Sequence, residues 1–155
     1  MIGIGNEYRR DDGVGIAVAR AVKALAPAGV DVMERCGEGT DLIASWCDRG
    51  FVVAIDAVRS GAPAGTLYRF DLATDLPPAS VFRGTSHQIG LGEAIALGRV
   101  LGQLPSTLIV YGIESESFGD GVGLSVAVEP AVAEVASRVV AECVAAARTS
   151  DPGRV

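Results

Sequence analysis

The sequence predicts a three-layer α/β domain built around a mostly parallel sheet, and three observations support that prediction. Short apolar runs alternate with amphipathic stretches along the chain. Residues 51–55 and 108–111 are continuous apolar runs, which is typical of strands buried on both faces. Nearly half of the 155 residues are hydrophobic, mainly Ala and Val, and 20 are glycine, which favours close packing of helices on a sheet. Strand and helix in repeated alternation is the pattern of such a domain.

Two weaker strands complete the sheet. Residues 30–36 form one of these strand candidates. Residues 67–72 follow the turn-rich segment SGAPAG, so we expect this strand to return antiparallel or to lie at an edge.

Helices are predicted between these strands. A first helix begins near Val14 and is stopped by Pro27, and Thr40 caps a second. Ser86 caps a third, and Pro130 stands at the first position of the last. The apolar residues expected on the inner faces are Val14, Val18, Ala21, Val22, Leu25, Leu42, Ile43, Trp46, Leu91, Ala94, Ile95, Leu101, Val132, Val135, Val139 and Cys143.

The chain is long enough for one domain, predicted over residues 1–148, with a frayed polar tail at 149–155. The formal net charge of −6 argues against a nucleic acid or an anionic membrane as partner. No stretch approaches the roughly 20 apolar residues of a membrane span. Three cysteines without a C-x-x-C pair favour small core thiols in a reduced, cytoplasmic protein.

Three segments contain candidate site residues. Asp11 and Asp12 precede the first helix, where one could be an N-cap and the other could favour the positive helix end. Asp56 ends the run FVVAI, and it is either a turn former or a functional strand-end carboxylate. His87 is the sole histidine and stands before or within the first turn of a helix, as a cap or as a neutral ligand.

Two carboxylates and one imidazole, each at a strand-to-helix connection, would make a three-point site for a divalent ion such as nickel or zinc. The Gly-x-Gly of residues 3–5 is weak support for a dinucleotide site, because Tyr8 replaces the third glycine and the helix starts late. No G-x-S-x-G elbow is present, and neither Cys36 nor Cys47 has the context of a Cys–His nucleophile.

Four blocks, GIGN with DDGVG, IDA, SHQIGL and GVGLS, occur in order over nearly the whole chain. In this combination the chain closely resembles the [NiFe]-hydrogenase maturation endopeptidases. The resemblance implies a five-stranded mixed sheet between helices, with a first strand that is central. Only Met1 and Ile2 precede the first block, so either that strand is severely shortened or the start of the chain has been placed too late.

The resemblance also implies a cytosolic protease that removes the C-terminal extension of a hydrogenase large-subunit precursor. Nickel would be supplied in that precursor rather than held permanently, and no other cofactor is expected. By motif position, Asp12, Asp56 and His87 would be both the metal-contacting and the catalytic residues, with Asp12 where some members have Glu. We expect a monomer that binds neither nucleic acid nor membrane.

Two other interpretations remain open at this point. One is an inactive or metal-sensing relative that binds the metallated subunit without cleaving it, which the short first strand favours. The other is a nucleotide-binding α/β domain built on the Gly-x-Gly turn, which predicts tight nucleotide binding that does not depend on His87.

Overall fold

The computed structural model of the chain describes residues 1–25, 27–75 and 90–150. Within these ranges five strands form one sheet: β1 (Ile2–Ile4), β2 (Met33–Arg35), β3 (Phe51–Val58), β4 (Leu67–Asp71) and β5 (Thr107–Glu114). The α-helices are α1 (Val14–Ala24), α2 (Gly39–Trp46), α3 (Leu91–Leu101) and α4 (Glu129–Ser150). A 3₁₀ helix, Arg10–Gly13, leads directly into α1.

The strand order is β2-β1-β3-β5-β4. All neighbouring pairs are parallel except β4 with β5, so β4 is the antiparallel edge strand that the sequence predicted. The expected three-layer sandwich with a five-stranded, mostly parallel sheet is confirmed. The first strand is short, with three fully buried residues, but it is not central. It lies between β2 and β3, and the longer β3 is the middle strand.

One helix pair covers each face of the sheet, and alternate residues of β3 point to opposite layers. Val53 and Ile55 pack with α1 and α4, whereas Val52 and Ala54 pack with α2 and α3. Val14, Val18, Val22, Val135 and Val139 belong to the first core, and Leu42, Trp46, Leu91, Ala94 and Ile95 belong to the second. None of the described helices is long and apolar enough to cross a membrane.

Two predicted helix starts are wrong. Helix α2 begins after Glu38, whose longer carboxylate side chain accepts from the backbone N–H groups of Thr40 and Asp41, so Thr40 is not the cap. Helix α3 begins at Leu91 after Gly90, whose N–H donates to the side chain of Glu93. The proposed cap Ser86 lies outside the described residues.

Some side chains predicted to be buried are exposed, among them Leu25 at 58%, and the bounds of one helix also differ from expectation. Leu101 is 54% exposed because it stands in the last turn of α3, where the sheet no longer covers the helix. Cys36 is exposed at the end of β2, while Cys47 and Cys143 are partly buried and all three thiols are free. Helix α4 begins one residue before Pro130 and runs to Ser150, and residues 151–155 lie outside the described ranges.

Glycines allow α1 to lie directly on the sheet. A Cβ at Gly15, in the first turn of α1, would overlap the backbone oxygens of Ile4 in β1 and Ile55 in β3. A Cβ at Gly3 in β1 would in turn overlap the backbone oxygen of Gly15. The start of α1 is therefore held against the carboxyl ends of β1 and β3 by backbone contact, which no larger residue would permit.

Gly15→Ala should destabilise the fold by about 3 kcal/mol or more, because the methyl group must displace two strands. Helix propensity alone would favour Ala by about 1 kcal/mol, so a loss in stability isolates the steric effect. Gly50→Ala is the matched control, since a Cβ at Gly50 meets no atom within 4 Å. Urea unfolding followed by circular dichroism measures both, and equal midpoints for the two variants would contradict the close approach.

Candidate active site

The carboxyl ends of β1 and β3 lie side by side at the point where the winding of the sheet reverses. From β1 the order continues outward to β2, and from β3 it continues the other way to β5 and β4. Open α/β sheets bind ligands in the crevice at such a point. The chain leaves β1 at Gly5 and returns over this edge through the 3₁₀ helix, whose residues pack next to β3.

Asp56 comes from β3 itself. The strand continues two residues beyond it, so the prediction that Asp56 ends the strand is wrong; the pairing with β5 extends to Val58. Its side chain follows Val52 and Ala54 in the alternation, which places it on the face covered by α2 and α3. The N–H of Ala57 donates to Oδ1 of Asp56 at 2.9 Å.

Asp12 comes from the 3₁₀ helix and is partly buried. Neither it nor Asp11 is a helix N-cap: Arg9 precedes the 3₁₀ helix and Gly13 precedes α1, and neither position has a side-chain cap. The N-cap interpretation of this acidic pair is therefore wrong. The 3₁₀ helix contains both acids and precedes α1, so neither acid stands at the start of α1.

Both carboxyl groups have raised pKa values, and the charge of Asp12 contributes to the rise at Asp56. Burial raises the pKa of Asp56 to about 7, and the nearby charge of Asp12 adds to the rise, against the opposing Ala57 hydrogen bond. Burial also raises the pKa of Asp12, while the Arg9 guanidinium and the backbone of Asn6 oppose that rise. Because a second negative charge near a buried carboxyl favours its protonated form, Asp56 retains its proton to higher pH than an isolated Asp.

His87 lies outside the described residues, so the structure brings together two of the three predicted site residues. No group of three or more His, Cys, Asp or Glu side chains able to hold a metal occurs in residues 1–25, 27–75 and 90–150. In sequence, His87 stands three residues before Gly90, from which α3 begins. Leu91 packs on the same face of the sheet as the neighbours of Asp56.

Asp11 has a role that sequence reasoning missed. Its fully buried carboxylate accepts from the N–H groups of Glu116, Ser117 and Ser125 at 2.6–3.2 Å and from the Ser125 hydroxyl at 3.0 Å. Its own N–H donates to the Ser117 carbonyl at 2.9 Å. Asp11 thus ties the turn that contains Asp12 to the loop after β5. The GVGLS block, which contains Ser125, was the available signal, but only the fold connects it to the first block.

The Gly-x-Gly turn has a packing role here. Gly5 has a φ of 139°, and a Cβ there would overlap the carbonyl oxygen of Asp12. The glycine therefore allows the 3₁₀ helix to fold back onto the end of β1. Helix α1 begins only at Val14, nine residues after Gly5, so its N-terminus does not follow the glycine turn as in a dinucleotide site.

Asp11→Asn should destabilise the protein by about 3 kcal/mol. The variant places an NH₂ group where backbone N–H groups donate, and it removes the negative charge that these N–H groups stabilise. Asp120→Asn is the control, because that residue is exposed in the same loop. Urea unfolding gives the free energies, and amide exchange should show faster exchange at Ser117 and Ser125. Unchanged exchange in the Asp11 variant would contradict the tie.

Asp56 should make stability depend on pH. Its folded-state pKa of about 7 lies above the value near 4 of an unfolded chain, so the folded protein retains a proton that the unfolded chain loses. This contribution is complete below about pH 4 and is lost as the pH rises through 7.

The amide side chain in Asp56→Asn cannot ionise. The free energy of unfolding of this variant, relative to that of the parent, should therefore be about 2–3 kcal/mol higher at pH 8 than at pH 5. Asp48→Asn, an exposed change at a left-handed position that Asn tolerates, should show a constant difference. Denaturant unfolding at both pH values decides, and a pH-independent difference for Asp56→Asn would contradict the raised pKa.

Comparison with known structures identifies the same fold. The hydrogenase maturating endopeptidase HybD from E. coli matches with a TM-score of 0.66 at 24% identity, covering 96% of this chain and 91% of that one. An endopeptidase from Escherichia coli solved in solution matches with a TM-score of 0.73 at 23% identity, covering 90% and 88%. Hydrogenase 2 maturation peptidase from Thaumarchaeota archaeon SCGC_AB-539-E09 matches with a TM-score of 0.66 at 25% identity, covering 92% and 95%.

Sequence comparison agrees. The chain is 23% identical over 145 residues to the hydrogenase 2 maturation protease of Escherichia coli K12, covering 91% of this chain and 87% of the relative. It is 30% identical over 126 residues to the hydrogenase expression/formation protein HupD of Thiocapsa roseopersicina, covering 77% of this chain and 55% of the relative. The model of the hydrogenase maturation protease family matches residues 16–142, a range that includes Asp56 and His87 and begins four residues after Asp12. The chain belongs to the hydrogenase maturation protease family, and is a peptidase by that membership.

Proposed function

We propose that this protein is an endopeptidase that removes the C-terminal extension of a nickel-loaded [NiFe]-hydrogenase large-subunit precursor. Asp12, Asp56 and His87 bind the nickel that the precursor brings. The nickel is thus part of the substrate, and the enzyme holds no permanent metal. The protein acts on this partner as a monomer in the cytoplasm.

The observation that favours this function most is the pair of perturbed carboxyl groups. Burial raises the pKa of both Asp12 and Asp56, and the charge of Asp12 raises that of Asp56 further, at the crevice where the sheet winding reverses. Like charges held together in a partly buried place are unfavourable on their own, and a divalent cation removes that cost. Structural ion pairs perturb pKa values too, but no described basic side chain forms an ion pair with either acid.

The sequence supplies a third ligand in the right part of the chain. His87 precedes α3, and α3 packs on the face of the sheet toward which Asp56 projects. A neutral imidazole with two carboxylates balances the charge of a divalent ion and leaves coordination positions open. The substrate's own ligands to nickel would occupy some of those positions.

In this function the three residues position the substrate. Near neutral pH Asp56 is about half protonated, so the bound ion displaces a proton from the acid pair. Binding of the ion by these residues also fixes the polypeptide that carries it, so the scissile bond lies against the crevice. This positioning lowers the entropic part of the activation free energy of cleavage. The attacking water is activated by the ion or by a carboxylate, and both routes use these residues.

Replacing any one of these ligands should abolish processing while the fold persists. We expect His87→Asn and Asp56→Asn each to slow cleavage at least about 100-fold, since even residues that only orient metal ligands are worth 10–100-fold. Asn caps helices at least as well as other residues, so a purely structural His87 would tolerate the change. His87→Gln keeps some reach without the imidazole and should fail similarly.

Mass spectrometry of nickel-loaded precursor after incubation measures the cleavage, and circular dichroism confirms folding. The control is Asp48→Asn, an exposed acid on the turn that leads into the amino end of β3. A folded His87→Asn variant with the parent's rate would end the ligand assignment. A parent that binds the loaded precursor but leaves it uncut would identify a metal-sensing relative instead.

A further inference from the structure

Backbone hydrogen bonds join segment 8–10 to loop 118–122, next to the turn that contains Asp12. The N–H of Gly121 donates to the Tyr8 carbonyl at 2.8 Å, and the N–H of Arg10 donates to the Gly121 carbonyl at 2.9 Å. Arg9 pairs with Gly121 in a parallel bridge. Because residues 10–13 form the 3₁₀ helix, this joined surface continues directly into Asp12.

Three arginines lie on this surface. Arg9 Nη2 donates to the Phe118 carbonyl at 3.2 Å, and Arg10 Nη1 donates to the Val122 carbonyl at 3.4 Å. Arg59, which directly follows β3, places its guanidinium carbon 4.4 Å from the centroid of the Phe118 ring. Each contact leaves most of the five N–H donors of its guanidinium unused.

Within the described ranges, none of these three arginines forms an ion pair with a carboxylate. Five other arginines do: Arg20, Arg35, Arg49, Arg69 and Arg138. Arg10 and Arg59 are exposed, and the neighbouring acids Glu116 and Asp120 are exposed without an ion pair to them. The charges of Arg10 and Arg59 are therefore available to a ligand, while the charge of Arg9 also acts on Asp12.

Apolar side chains are interleaved with these charges. Tyr8 is 68% exposed and Val122 is 67% exposed, although both belong to the joined segments. Phe118, partly buried, lies beneath Arg59. Arginine and aromatic side chains together are typical of the residues that anchor protein interfaces. Hydrogen bonds that only join segment 8–10 to loop 118–122 would require neither exposed apolar side chains nor unpaired charges.

We propose that Tyr8, Arg9, Arg10, Arg59, Phe118 and Val122, here called the arginine rim, are a docking surface for an acidic segment of the substrate polypeptide beside the bond that is cut. This inference rests on the proposed function and adds a determinant of substrate choice. Guanidinium groups bind carboxylates through paired hydrogen bonds, and exposed aromatic and valine side chains suit a partly apolar peptide. With a net charge of −6, most of the protein repels an acidic segment, so the arginine rim also orients its approach.

The test compares the double variant Arg10→Glu/Arg59→Glu with Arg99→Glu, which reverses an exposed charge on α3. With nickel-loaded precursor, the double variant should raise KM about tenfold or more and change kcat less than twofold, because the reversed charges act on docking. Added salt should raise the parent's KM and hardly affect that of the variant. Arg99→Glu should match the parent in both.

Direct binding of the loaded precursor, measured by titration without following cleavage, separates the two proposals. Loss of affinity in the double variant supports the arginine rim even if the parent does not cleave, an outcome that would contradict only the proposed function. Affinity and KM within twofold of the parent would overturn the arginine rim while leaving the proposed function intact.

Arg10→Glu also removes a loop hydrogen bond. The single variant Arg59→Glu, whose side chain makes only the ring contact among the described residues, must therefore show the same direction of change. Arg59→Lys, which keeps the charge, should recover most of the affinity. Recovery by Arg59→Gln to the same extent would show that charge is irrelevant and would also overturn the proposal.

Discussion

The close approach of α1 to the sheet determines where the candidate site lies. At Gly3 and Gly15 the backbones of β1 and α1 touch without an intervening side chain, and Gly15 also meets the carbonyl of Ile55, the residue before Asp56. The chain between these contacts has little freedom, and the glycine at position 5 lets it fold back as a 3₁₀ helix. Asp12 reaches the end of β3 because glycine backbones, rather than side chains, form the boundary between helix and sheet.

Asp11 provides the second constraint. Asp11 is buried in the protein and accepts from the loop after β5, and the charge of its neighbour Asp12 raises the pKa of Asp56. The same loop passes Gly121, which bonds the backbone of Tyr8 and Arg10. The loop after β5 therefore supports both the turn that contains Asp12 and the arginine rim. A substitution in the loop would affect both the charge at the crevice and the surface beside it.

Sequence patterns predicted the layers and the edge strand well, because buried strands and amphipathic helices follow local periodicity. They failed where a contact joins distant residues. The buried carboxylate of Asp11 is indistinguishable from a helix cap until Ser125 is placed beside it. Asp56 looked like a strand end because a charge rarely continues a buried run, yet pairing with β5 extends the strand past it. Which strand is central likewise depends on pairing lengths that no single segment contains.

The link from Asp11 to Ser125 spans 114 positions of the chain. During synthesis the amino-terminal residues emerge first, so both acids of the crevice exist long before the residues that hold their turn in place. A partial chain can contain Asp12 and Asp56 without any fixed geometry between them. Contacts of such high sequence separation form late and cooperatively, so the geometry of the two acids is acquired together with the completed fold. The unfinished chain therefore contains both acids without their arrangement.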